Sequence, residues 1–150
     1  MAGLDRTSRY LAAKTELELI QLNPTNAAAL RLSCAGNVRQ ALASPETSAA
    51  EFKAYFGIAM QLGDYDTARE LLDKWEHGQP KDPDAKRSRI NLEIVTGNLE
   101  SAWKLVNRFL AASPNDTNVL AQRYEVQRRL GELNRLIQPS VDSSPLSKKP

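Results

Sequence analysis

The 150-residue sequence holds one cysteine, Cys34, and one histidine, His77. A single thiol excludes an intrachain disulfide and leaves the redox compartment open. Cys34 follows Leu30 and Leu32 in an apolar helical stretch, so it is expected to be a buried small hydrophobe rather than a nucleophile. A lone histidine with a distant lone cysteine is neither a zinc set nor a catalytic triad. No glycine-rich phosphate loop is present. Asp64 and Asp66 flank a turn, but the calcium-loop pattern does not continue. No catalytic constellation, cofactor site or metal site is legible, so the chain is read as a non-enzyme. Asn115-Asp116-Thr117 matches a glycosylation sequon formally and reads better as a turn and helix start. No apolar run approaches the ~20 residues that span a bilayer. The first residues also lack the basic and apolar regions of a signal peptide. The expectation is a cytoplasmic chain without direct membrane insertion. A piece of a larger envelope protein, its signal removed, would look the same. A net charge of +2 is too weak to argue for nucleic acid or a membrane surface.

What the sequence does have is a period. Gly63, Gly97 and Gly131 lie 34 residues apart. Ala68 and Ala102 keep the same step, as do Pro80 and Pro114. A fixed step of this length, built of two short helices, marks a repeat architecture. Pattern and punctuation predict about eight helices: 5–22, 27–42, 48–62, one from after Gly63 to His77-Gly78, 83–96, 99–112, 117–130 and a short one over 132–138. Ser48 and Glu51 have capping-box spacing. Gly78 is read as a C-terminal helix glycine, and Pro83 suits a first helical turn. The core stripes read Tyr65, Ala68, Leu71, Leu72 and Trp75, then Leu99, Ala102, Leu105, Val106 and Phe109, at spacings of three and four. Phe52, Tyr55 and Phe56 are read as core as well. Residues 139–150, with three prolines and four serines, are expected to be disordered.

Residues 49 to about 138 resemble the tetratricopeptide repeat. The glycines stand where the family has a small residue at the turn. The alanines stand early in the second helix, and the prolines near the repeat end. The resemblance implies an all-α, right-handed solenoid of antiparallel helix hairpins, about seven or eight helices in all. Repeats would span 49–82 and 83–116, with a partial or capping unit at 117–138. Residues 1–48 form either a degenerate repeat or the cut edge of a longer array. Leu22-Asn23-Pro24 looks like another repeat end, with Ala12 placed before Pro24 as Ala68 is before Pro80. Arg89 and Arg123 stand where the family has large apolar residues. Each has a polar residue four positions on, Glu93 and Gln127, at the spacing of a same-face pair. The arginine stems either cover the core or form a charged ladder in the groove.

The resemblance also implies a function. Such repeats leave an extended concave surface that binds partners. The family's groove positions fall on Ala50, Lys53, Gly57 and Met60; on Asp84, Arg87, Asn91 and Ile94; and on Asn118, Ala121, Glu125 and Arg128. The leading reading is a non-catalytic adaptor that holds a polar peptide or helix of a partner there. Charge is uneven: residues 49–82 carry four basic and seven acidic side chains, and residues 117–150 carry six and three. This is either ordinary solvated helix surface or a bipolar surface that orients a charged partner. The alternative is a structural segment of a larger secretion, envelope-assembly or polysaccharide-export protein. A binder of chaperone C-terminal tails is a poorer match. Lys53 suits its clamp but Gly57 replaces the asparagine; one repeat on, Arg87 and Asn91 suit it, with Gln122 next. Nucleic-acid binding finds Arg123, Arg128, Arg129 and Arg135 near one end, but no basic stripe across repeats. No small-molecule substrate is implied.

Overall fold

Short polar caps and tight turns decide where the chain becomes helical. In the computed structural model, residues 5–45 and 47–138 are described, the side chain of Asn26 excepted. They form seven α-helices and one 3-10 turn: α1 (Arg6–Leu22), the turn Pro24–Asn26, α2 (Ala28–Ala43), α3 (Ala49–Leu62), α4 (Tyr65–Gly78), α5 (Pro83–Val95), α6 (Leu99–Ala112) and α7 (Thr117–Ile137). No strand occurs among the described residues. The expectation of disorder for 139–150 falls outside them.

The caps follow the sequence signals. Ser48 Oγ accepts the Glu51 N–H at 3.3 Å while the Ser48 N–H donates to Glu51 Oε2 at 2.7 Å, a complete capping box. Asp5, Asp64 and Asp116 accept the N–H groups of Ser8, Thr67 and Val119. Each thereby satisfies a donor that the first helical turn leaves without an intrahelical partner.

Two of the three periodic glycines end helices. Gly63 and Gly97 have φ of 74° and 82°. Around each, the same pair of bonds closes the helix end. The Gly63 N–H donates to Met60 O at 3.2 Å and the Asp64 N–H to Ala59 O at 3.0 Å. The Gly97 N–H donates to Ile94 O at 3.2 Å and the Asn98 N–H to Glu93 O at 2.8 Å. A left-handed residue closing two orphan carbonyls in this way favours glycine. Gly131 breaks the period. It lies inside α7, which runs unbroken from Thr117 to Ile137, so the turn expected there is absent. Helix propensity is cooperative, and one glycine costs only about 1 kcal/mol. Gly78 stands at the helix end, as expected. It is the last residue of α4 at ordinary φ, and a Cβ there would meet Ala49 Cβ at 3.0 Å. Its smallness lets the end of α4 approach the start of α3.

The chain divides into two compact units, Met1–Leu92 and Glu93–Pro150. In the first, α1 pairs with α2 and α3 with α4, while α1 also meets α3 and α2 meets both α3 and α4. Its core holds Ala13, Leu17, Ile20, Cys34, Val38, Phe52, Tyr55, Phe56, Ala68, Leu71, Leu72 and Trp75. Fully burying one large apolar side chain contributes about 1.5–3 kcal/mol. Helix α1 packs on α2 as the first helix of a hairpin. Ala13, not Ala12, is the fully buried alanine. Cys34 is buried; its S–H donates to Ala13 O at 3.3 Å, and burial, then the Glu16 charge, pushes the thiol up to about 11.

In the second unit α6 pairs with α7. Leu99, Ala102, Val106 and Leu110 of α6 are buried, as are Val119 and Val126 of α7. Phe109 and Leu105, read as core, are half-buried, and Leu110 fills the last inward position instead.

Candidate protein-interaction site

The first unit carries a cleft between α1 and α3. Tyr10, Lys14, Leu17, Glu18 and Gln21 form one wall, and Ala54, Gly57, Ile58 and Gln61 the other; its volume is about 260 Å³. Leu17 and Ile58 are buried and make an apolar floor, while Lys14, Glu18, Gln21 and Gln61 are exposed at the rim. At one end the Gln21 side-chain amide donates to Gln61 Oε1 at 2.8 Å. Gly57 opens the α3 wall: a Cβ there would meet nothing within 4 Å. An apolar floor inside a polar rim is the anatomy of a protein-binding patch.

One turn from Gly57 on the same face of α3 stands Lys53. Its ammonium donates to Asp84 Oδ2 at 2.6 Å, joining α3 to α5. Arg87 donates to the other oxygen of Asp84 at 2.7 Å. Lys53, then Arg87, hold the Asp84 carboxyl below the ordinary carboxylate range. Three of the sequence-predicted site residues are therefore gathered in one exposed ion cluster. The Lys53 ammonium also lies 5.5 Å from the centroid of the Trp75 ring. Asn91, one turn beyond Arg87, is exposed, and Met60 is half-buried beside the cleft wall. Ile94, expected to face the groove, is buried.

The predicted residues of the second unit lie along α7. Asn118, Ala121 and Arg128 are exposed; Gln122 and Glu125 are half-buried. Arg128 Nε donates to Glu125 Oε2 at 3.0 Å and its Nη1 to Glu132 Oε1 at 2.5 Å. Arg129 Nε donates to Glu125 Oε1 at 2.5 Å and its Nη1 to Ile94 O at 3.2 Å. Hydrogen bonds from Arg128 and Arg129 hold the Glu125 carboxyl down at about 2.

The two unusual arginines are not alike. Arg89 reaches α4, donating to Asp73 Oδ1 at 2.5 Å and to Glu76, with 16% of its side chain exposed. It is a clamp between α4 and α5, not part of a groove ladder. Arg123 is exposed and lies over the Trp103 ring, 5.6 Å from its centroid.

The α1 wall of the cleft escaped sequence reading. The signal that could have found it is the spacing of Tyr10, Lys14 and Gln21 beside the stripe Ala13, Leu17, Ile20. Among the described residues no group of three His, Cys, Asp or Glu could hold a metal ion. No described helix is long and apolar enough to cross a membrane.

No family model matches the chain, and no curated protein matches it. A solved structure, the assembly chaperone of RpL4 (Acl4), is similar in fold at a TM-score of 0.50 and 20% identity, over 87% of this chain and 50% of that one. This chain thus spans about half the length of that neighbour. The shared feature is an all-helical, repeat-like architecture.

Proposed function

We propose that this chain is a non-catalytic interaction scaffold of the tetratricopeptide-repeat type. Residues 49–138 supply its repeats, and the helix hairpins stack as a right-handed solenoid. A peptide or helix of a partner protein sits on the face shared by α1, α3 and α5. The observation that carries this reading is the α1–α3 cleft, with its apolar floor, its polar rim and Gly57 opening one wall. Lys53, Asp84 and Arg87 extend that face with mixed charge, which suits a polar segment anchored by one apolar side chain. The fold neighbour is an assembly chaperone, in keeping with a protein partner.

The test is differential capture. Partners are drawn from native extract with the wild-type chain, with Gly57→Arg, with Lys53→Gln plus Arg87→Gln, and with Glu70→Lys on α4 as control. Gly57→Arg fills the cleft without removing a packed side chain. A protein held by wild type and by Glu70→Lys, and lost from both groove variants, is the expected result. Loss from Glu70→Lys alone would move the site to α4 and end this reading.

A further inference from the structure

The 34-residue step provides a register between helices. Two steps carry Leu120 back onto Phe52 and Tyr124 back onto Phe56. On α3 both positions are covered: Phe52 is 8% and Phe56 7% exposed. The helix that covers them is α4. The Phe56 ring packs on Trp75 with centroids 6.1 Å apart, and the Lys74 ammonium lies 5.9 Å from the centre of the Phe52 ring. On α7 the equivalent residues face solvent, Leu120 at 41% and Tyr124 at 70% exposure. Gln127 and Gly131 continue this stripe at helical spacing. At Gly131 an added Cβ would meet nothing within 4 Å, so a neighbouring helix can come close. Arg123 and Arg135 flank the stripe. Both are exposed, and neither has a carboxylate partner among the described residues. The carboxylates of α7, Glu125 and Glu132, are committed to Arg128 and Arg129.

We propose that the outward stripe of α7 docks an acidic amphipathic helix of a partner protein, laid antiparallel along α7 as α4 lies along α3. Two observations select this occupant. The register says that the two apolar positions of the stripe are ones a helix covers elsewhere in the same chain. The charge says that the helix is acidic, because the flanking cations lack counter-charges. Helix α4 illustrates the chemistry: it carries Asp66, Glu70, Asp73 and Glu76 against Arg69 and Lys74. The chain's own residues 139–150 hold Lys148 and Lys149 against Asp142 alone, the wrong sign for this face. This docking face is distinct from the α1–α3 cleft and stands without it.

The probe is a synthetic peptide with the sequence of residues 64–79, held helical by a side-chain staple because a helix this short is marginal alone. It is titrated into the full, nitrogen-15-labelled chain and followed by amide shifts. The expected result is a set of shifts centred on Leu120, Tyr124, Gln127 and Gly131. Leu120→Asp with Tyr124→Asp abolishes them, with the circular dichroism melt retained because both sites are exposed. Arg123→Glu with Arg135→Glu weakens binding about tenfold, and so does replacing the five peptide acids by their amides. No shift at millimolar peptide, or shifts confined to α3, overturns the proposal. Sedimentation as a dimer that Tyr124→Asp dissolves would assign the face to a second copy and overturn it. So would the same shifts changing, without peptide, on deletion of residues 139–150, which would assign the face to the chain itself.

Discussion

The indole N–H of Trp75 donates to Asp82 Oδ2 at 3.0 Å, and Asp82 Oδ1 accepts the Asp84 N–H at 2.9 Å. One carboxylate thus satisfies the only polar atom of a buried tryptophan side chain and caps the start of α5. Trp75 lies beneath the Lys53 ammonium, so this pair also supports the floor of the ion cluster from below. Asp82→Ala leaves the indole N–H unsatisfied and removes the cap. The expected loss is about 2–4 kcal/mol, the sum of a buried donor and a helix cap. Asp82→Asn, which keeps an acceptor, should lose less. Urea denaturation of both variants checks this; equal losses would show that the carboxylate does not serve both groups.

The three periodic glycines should respond with opposite signs. Gly63→Ala and Gly97→Ala force a Cβ into left-handed backbone and should each cost about 1–2 kcal/mol. Gly131→Ala removes a glycine from a helix interior and should stabilise by about 0.5–1 kcal/mol. Chemical denaturation of the three single variants reads the sign directly. A destabilised Gly131→Ala would show that position 131 needs a glycine after all.

Arg89 binds Asp73 and Glu76 from a side chain only 16% exposed. Arg89→Ala strands two carboxylates on α4 and should cost about 1.5–3 kcal/mol, the range for hydrogen bonds to charged groups. Asp73→Lys with Glu76→Lys should be similarly costly, because two like charges then face Arg89. Their melting temperatures should therefore fall together, and an unchanged value for either would break the clamp interpretation.

Glu51 should shape the acid limb of stability. A hydrogen bond from Arg6, aided by the Ser48 N–H, holds its carboxyl at about 2 against an ordinary 4.5. The folded pKa is depressed, so its contribution is fully present above pH 4.5 and is lost as pH falls toward 2. The stability difference between wild type and Glu51→Gln should be constant above pH 4.5 and shrink toward zero near pH 2. Thermal melts of the pair at stepped pH measure it. A difference independent of pH across this window would show that Arg6 does not hold the carboxylate in solution.

Local chemistry made much of this molecule legible from sequence. Capping side chains, left-handed glycines and apolar spacing act within a few residues, so Ser48, Glu51, Gly63, Gly97 and the stripe through Trp75 could be read directly. The repeating step singled out Lys53, Asp84 and Arg87, and the fold gathers these three in one ion cluster. Tertiary packing decided the rest. Gly131 shares the period of Gly63 and Gly97, but the chain around it stays helical, and a single glycine is too weak to stop a cooperative helix. Ala12 on α1 and Pro24 in the turn beyond it mimic a repeat end, while the apolar stripe Ala13, Leu17, Ile20 packs α1 into the core and leaves the cleft against α3. Arg89 and Arg123 share one repeat position and differ only in what lies opposite, two carboxylates for one and an indole face for the other. Sequence specifies what each residue can do with its near neighbours; which distant partner it meets depends on how helices pack, and that is written in no local pattern.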